Sequence, residues 1–222
     1  FMRKNKTITL FSISAICISL FVITLILILS ENAGLNHIDK NILSAFANGR
    51  AEWLNWFFVI LSYIGGTKAI ALFILILLIL PNRKKLGLPL AIVVATSALL
   101  NLTIKLIVSR ARPDGFFLSS APLGYAFPST SSFPSGHAQT ATVFFVTLAY
   151  LVCKNYVKTK PIKILLMTCA IIFSALIAIA RMYLGVHFPT DVFCGTLLAT
   201  SLLCIAYLID CSFDATHSMH KN

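Results

Sequence analysis

Three short groups of residues in this 222-residue chain combine side-chain types and spacings suited to chemistry on an anion. His187 and Asp191 lie four residues apart, so the carboxylate can hold one imidazole nitrogen protonated and leave the other as a lone pair. That is a nucleophile with its orienting partner. Arg181, six residues before His187, brings a cation to the same group. The second group is Pro134-Ser135-Gly136-His137. Proline suits the first helical position, which predicts Ser135, Gly136 and His137 in the first turn of a helix. There the backbone N–H groups lack intrahelical partners and the dipole is positive. Gly136 admits a ligand closely, and His137 beside it can act as an acid. The third group is Lys105 and Arg112 followed by Pro113. Their separation predicts two cations on one helix face about two turns apart, with Pro113 ending the helix.

Each group alone has an ordinary structural explanation: a snorkelling pair at a helix end, a helix start, a surface ion pair. Together they offer three cations, a helix N-terminus and two histidines beside a carboxylate. That set suits a tetrahedral anion attacked by a nitrogen nucleophile. Carboxylates for a metal pair are scarce, because Asp114 and Asp191 are the only acids near these groups in sequence, so neither a two-metal mechanism nor any cofactor is expected.

The elements that must position these residues are set by composition. Hydrophobic residues make up 58% of the chain and charged residues 11%, against about 25% charged in ordinary soluble domains. The net charge of +11 therefore does not indicate a soluble nucleic-acid binder, and disorder is excluded by the same apolar content. Spanning a bilayer takes about 20 mainly apolar residues as a helix. The runs 7–30, 86–104, 134–152, 164–180 and 192–209 meet that need. The stretch 53–80 is broken by Gly65, Gly66 and Lys68; one crossing at 67–80 is expected, with 53–64 at the surface or re-entering. The chain thus reads as an all-α integral membrane protein, six transmembrane helices in one bundle and one domain over 1–222, with both termini cytoplasmic. Under that topology eleven cations, from Arg3 through Arg83 and Lys158 to Lys221, face inward against Asp210 and Asp214. Seven cations and five acids face outward, as the positive-inside rule requires. All three chemical groups then fall at the outer ends of spans, in a plasma or inner membrane.

The first span resembles a signal peptide in its basic flank, but its long apolar core predicts a retained anchor; Phe1, ahead of Met2, is expected to be extraneous. In 35–50, Leu35, Ile38, Ile42, Leu43 and Phe46 recur at helical spacing with Asp39 and Lys40 between them, which predicts a lipid-facing helix lying in the interface. Trp53 and Trp56 suit an aromatic belt. The six cysteines suggest neither a disulfide framework nor a zinc site. The segment 115–133, with Phe116, Phe117, Tyr125 and Phe127, is expected to be a connecting loop or a lid.

These motifs resemble the type 2 phosphatidic acid phosphatase (PAP2) family, which includes vanadium haloperoxidases and glucose-6-phosphatase. Its pattern KxxxxxxRP, PSGH and SRxxxxxHxxxD is similar to Lys105–Pro113, Pro134–His137 and Arg181–Asp191, with Ala180 where the family has serine. The resemblance implies that His187 forms a phosphohistidine oriented by Asp191 and that His137 protonates the departing oxygen. It implies that Lys105, Arg112, Arg181 and the N–H groups of Ser135 and Gly136 hold the phosphoryl oxygens, without metal. The expected partner is a phospholipid or polyprenyl phosphate in the membrane, undecaprenyl diphosphate or phosphatidylglycerol phosphate, with no nucleic acid. A lipid-linked phosphotransferase would use the same residues. An anion or lipid transporter would leave the His187–Asp191 pair and the PSGH turn without a purpose, and a haloperoxidase is disfavoured by the spans.

Overall fold

The computed structural model describes residues 2–113 and 130–219, with side chains described from 5 to 113 and from 130 to 212. It is all-helical over the described residues. The helices are α1 (Met2–Leu29), α2 (Ala33–Asn48), α3 (Glu52–Ile64), α4 (Thr67–Ile79), α5 (Gly87–Val108), α6 (Gly136–Asn155), α7 (Lys160–Tyr183) and α8 (Pro189–Met219), with a 3-10 turn at Pro81–Lys84. Residues 114–129, which hold Phe116, Phe117, Tyr125 and Phe127 of the expected loop or lid, lie outside the described residues.

Among the described residues, five helices are long and apolar enough to cross a bilayer: Asn5–Leu29, Gly87–Val108, Gly136–Asn155, Lys160–Tyr183 and Pro189–Ser212. Helices α3 and α4 have 13 residues each, about 20 Å at the α-helical rise, which is short of the roughly 30 Å hydrocarbon layer. They meet at Gly65-Gly66 with a 46° bend and together reach the length of a sixth span. Of the two expectations for 53–64, surface or re-entrant, the bent pair agrees with the second, being either a broken span or a re-entrant loop. Phe58, Val59 and Leu61 of α3 pack with Ile177, Ala180 and Tyr183 of α7, because the apolar stripe of α3 finds more contact in the bundle than at its rim.

Helix α6 is the most enclosed of the five and lies at the centre. Val143 and Phe144 meet Ile70 and Ile74 of α4 and Leu90 and Val94 of α5. Helix α1 runs antiparallel to α8, with Lys6 bonded to the Tyr207 hydroxyl and Ser14 to Ser201 at 2.7 Å. Cys17 and Phe21 of α1 share a core with Cys194, Leu197 and Leu198. The beginning of α1 and the C-terminal half of α8 therefore lie at the same end of the bundle. Outward faces carry exposed Phe11, Ile16, Leu72, Ile79, Leu106 and Ile107, an apolar surface that water would not tolerate over such an area. All six cysteines are free thiols.

Helix α2 departs from the simple interfacial helix expected. Ile38 and Ile42 are exposed, but Asp39 and Leu43 are each 1% exposed. Position 39 is four residues from both Leu35 and Leu43, so Asp39 lies within the apolar stripe rather than opposite it, and that stripe faces the bundle.

Candidate active site

The turn from α7 to α8 fixes the Arg181-to-His187 spacing. The Gly185 N–H donates to the Met182 carbonyl at 2.9 Å and the Val186 N–H to the Arg181 carbonyl at 3.1 Å, the paired bonds of a Schellman motif. Gly185 has φ 70°, a conformation in which a Cβ would be strained. Arg181 thus occupies the last helical turn, the chain reverses over Gly185, and His187 emerges after Val186. Pro189 opens α8, as expected, and puts Asp191 in its first turn, where a negative charge is favoured by the dipole.

His187 is 2% exposed. Its Nδ1 lies 3.6 Å from Asp191 Oδ2 and 3.5 Å from the Ser132 hydroxyl. Its Nε2 lies 3.3 Å from Arg112 Nη1. Guanidinium donates only, so Nε2 is the acceptor and the proton belongs on Nδ1, on the carboxylate side. Burial lowers the imidazole's pKa to about 3, with Arg181 and Arg112 adding to the effect and Asp191 opposing it. The ring is therefore neutral, with a lone pair on the nitrogen beside the cation.

Asp191 is completely buried and fully engaged. Its Oδ2 accepts from the Ser132 hydroxyl and from the Phe188 N–H at 2.9 Å. Its Oδ1 accepts from Arg110 at 2.6 Å. Its backbone carbonyl accepts from the Ser135 N–H at 2.9 Å, which ties the start of α6 to the start of α8. That approach depends on Gly195, one turn further along α8: a Cβ there would lie 2.6 Å from the Ser135 carbonyl oxygen.

Two local expectations are corrected here. Helix α5 ends at Val108, with Ser109 left-handed at φ 46°, so Pro113 does not stop it and Arg112 does not share a helix face with Lys105. The two cations meet through the returning strand of chain instead. Lys105 donates to the Ser131 carbonyl at 2.5 Å; Arg112 donates to the Thr130 carbonyl at 2.8 Å and the Val186 carbonyl at 2.7 Å. The second correction concerns α6. Pro134 precedes the helix, Ser135 is its N-cap, with the hydroxyl accepting from the Ala138 N–H, and Gly136 is the first helical residue. The Ser135 amide serves the Asp191 carbonyl, so the amides left at this helix start by helical geometry are those of Gly136 and His137.

His137 lies beside the α3–α4 break, its Nε2 3.7 Å from where a Cβ on Gly66 would stand. Arg181, His187, Arg112 and Lys105 are all near enough to act on it electrostatically. Arg181 is completely buried and donates to the Ser62 hydroxyl of α3. Asn101 and Gln139 brace the site from below: Asn101 Nδ2 donates to Gln139 Oε1 at 2.8 Å, and Gln139 Nε2 to the Ser97 carbonyl at 3.0 Å. The eight residues singled out from sequence thus gather at one end of the bundle, with Arg181, Asp191 and Ser135 fully buried and Lys105 and Arg112 reaching an open cavity. An open cavity of about 600 Å³ there is lined by Lys105, Arg110, Arg112, Thr130 and Ser131.

Sequence inspection passed over Asp39, Arg110, Ser62 and Ser132. The signal for Asp39 was a carboxylate at apolar-stripe spacing. For Ser62 it was a hydroxyl set among Phe58, Val59 and Leu61. Arg110 carried no signal beyond its place between Lys105 and Arg112, and Ser132 carried none.

The arrangement sets a neutral, carboxylate-backed imidazole against Arg112, which lines a cationic cavity at one end of an apolar helical bundle. The sequence pattern of the PAP2 superfamily matches residues 86–211, more than half of the chain, and the chain belongs to that family. Phosphatidylglycerophosphatase B of Bacillus subtilis (strain 168) is 31% identical over 182 residues, covering 80% of this chain and 86% of that protein. Undecaprenyl-diphosphatase of Sulfolobus acidocaldarius is 31% identical over 125 residues, 56% of this chain and 55% of its own. The crystal structure of a transmembrane PAP2-type phosphatidylglycerolphosphate phosphatase from Bacillus subtilis superposes with a TM-score of 0.78 at 27% identity, covering 89% of this chain and 95% of that one. The protein is a hydrolase, a multi-pass membrane phosphatase of lipids.

Proposed function

We propose that this protein removes the terminal phosphate from a lipid phosphomonoester or diphosphate at the outer leaflet through a phosphohistidine. The observation that carries the reading is the two-sided environment of His187, Nδ1 against Asp191 and Nε2 against Arg112. Nε2 attacks phosphorus while Nδ1 keeps its proton, and the positive charge that develops on the ring is met by Asp191. Lys105, Arg112 and Arg181, with the Gly136 amide, hold the equatorial oxygens; Ser135 shapes that helix start. His137 protonates the departing oxygen. Water then attacks the phosphohistidine, releasing phosphate and regenerating His187. No metal takes part in this scheme.

The chain acts as a single domain over 1–222 with six spans, α3 and α4 forming one bent crossing. Both termini face the cytoplasm and the site faces outward, a reading supported by the excess of cations at the opposite end. Lipid enters sideways, its phosphate at the level of Lys105 and its tails along the exposed faces of Leu102 and Leu106. The likeness to the Bacillus subtilis relative over most of both chains favours phosphatidylglycerol phosphate, and the archaeal relative favours undecaprenyl diphosphate. Phosphate release from both lipids and from phosphatidic acid by purified protein tests the reading. A tenfold preference in kcat/KM, about 1.4 kcal/mol in the transition state, assigns the substrate. Release from none of them overturns the assignment.

A further inference from the structure

The carboxylate behind His187 is itself held by a device that no motif residue supplies. Arg110 spreads its guanidinium between two buried carboxylates, with Nη1 at 2.6 Å from Asp191 Oδ1 and Nη2 at 2.9 Å from Asp39 Oδ2. Nη1 also donates to the Thr190 hydroxyl at 2.8 Å. That hydroxyl donates onward to Asp39 Oδ2 at 2.6 Å, and the Thr190 N–H donates to Asp39 Oδ1 at 3.0 Å. The guanidinium stacks over the Phe188 ring at 4.3 Å. The arginine side chain is 13% exposed, Asp39 1% and Asp191 0%. Four elements meet here: α2, the chain after α5, the α7–α8 turn and the first turn of α8.

We infer that Asp39 and Arg110 form a positioning clamp for the catalytic carboxylate, so that helix α2 takes part in the reaction through Asp191 without touching substrate. The inference rests on the phosphohistidine reading above. Two physical effects are combined. The first is orientation: with Oδ1 fixed by Arg110, the carboxylate plane cannot rotate and Oδ2 stays aimed at His187 Nδ1. The second is charge. An arginine paired with Asp191 alone would cancel much of the negative charge that must stabilise the ring as it becomes phosphorylated. Asp39 neutralises the arginine from its far side, leaving the three-group cluster with one net negative charge, close to His187 and shielded from water. The planar fork fixes both carboxylates in one geometry through two separate nitrogens, which the rotating point charge of a lysine ammonium does not reproduce.

The decisive measurement is the single-turnover rate of phosphohistidine formation on full-length protein in phospholipid-containing micelles, because a rate constant does not depend on how much of the sample is folded. Arg110→Ala is expected to slow that step about 100-fold and Asp39→Asn about tenfold, with KM changed less than threefold; supporting residues one layer out from reacting groups typically act on this scale. With Arg110→Ala in place, Asp39→Asn is expected to cost nothing more, since Asp39 acts through Arg110. Millimolar guanidinium is expected to restore part of the rate to Arg110→Ala alone. If Arg110→Ala does not fold, Asp39→Asn and Arg110→Lys decide, both expected to be slowed at unchanged KM. His187→Ala is the control that separates two failures. If it still turns over, the phosphohistidine reading falls and the clamp with it. If it is dead while the Asp39 and Arg110 variants form phosphohistidine at the wild-type rate, or change KM only, the clamp alone is overturned.

Discussion

Polar side chains gather at both ends of the bundle, and the two gatherings are built differently. At the end carrying Lys6 and Asp210, the carboxylate of Asp210 takes the Tyr150 hydroxyl at 2.5 Å and Lys154 at 2.6 Å. Lys154 and Asp210 remain 30% and 33% exposed. At the other end Asp191 and Asp39 are closed off from solvent and receive donors from backbone, hydroxyl and guanidinium together. Room does not distinguish the ends. An apolar cavity of about 640 Å³ beside Asp210, lined by Leu88, Ile92, Val146 and Leu203, matches the roughly 600 Å³ at the motif-bearing end. What separates them is that one end leaves its charged groups partly in water, while the other removes its carboxylates from water and must bond them from the protein. Buried, multiply bonded carboxylates, rather than cavity size, distinguish the motif-bearing end.

That contrast can be broken at several points. The largest effect is expected for His187→Ala, which should lose at least about 10⁴-fold in phosphate release, as removal of a nucleophile does; Asp210→Asn at the opposite end should stay within twofold in the same assay. Arg112→Lys comes next. It keeps the charge but loses the fork that grips the Thr130 and Val186 carbonyls, and kcat/KM should fall about 100-fold. Gly195→Ala should then cost about 1–3 kcal/mol of stability, the usual penalty for overpacking, measured as a lowered denaturation midpoint in detergent, because its Cβ meets the Ser135 carbonyl. The smallest effect belongs to Lys154→Ala, under about 1 kcal/mol for an ion pair that keeps contact with water. A drop of several kcal/mol there would show that the two ends are alike after all.

Much of this was legible in the sequence because it is local. The span lengths follow from charge-free runs, and the Arg181-to-His187 interval matches a single turn motif whose glycine is visible. Asp191 in the first turn of its helix follows from Pro189. The misreadings have a shared origin. The spacing of Lys105 and Arg112 reads as one helix face because nothing in 105–113 announces that Ser109 turns left-handed. Helix α2 reads as a lipid-facing interfacial helix because Asp39 finds its partners 71 and 151 residues away, and local spacing carries no trace of a distant cation. The piece 53–64 reads as too short to cross alone, and nothing in it announces that Ser62 meets Arg181 across 119 residues.

The distance between Asp39 and Thr190 also orders events in time. Asp39 emerges from the ribosome 151 residues before Thr190, a delay of about 8–30 s at ordinary elongation rates. Through that interval the carboxylate of α2 has no Arg110–Thr190 cradle to enter, and α1 has no α8 to pair with. The buried cluster closes only when α8 arrives, so a chain cut short before α8 holds Lys105, Arg112, the PSGH turn and His187 and yet lacks the Asp191 carboxylate that backs the imidazole.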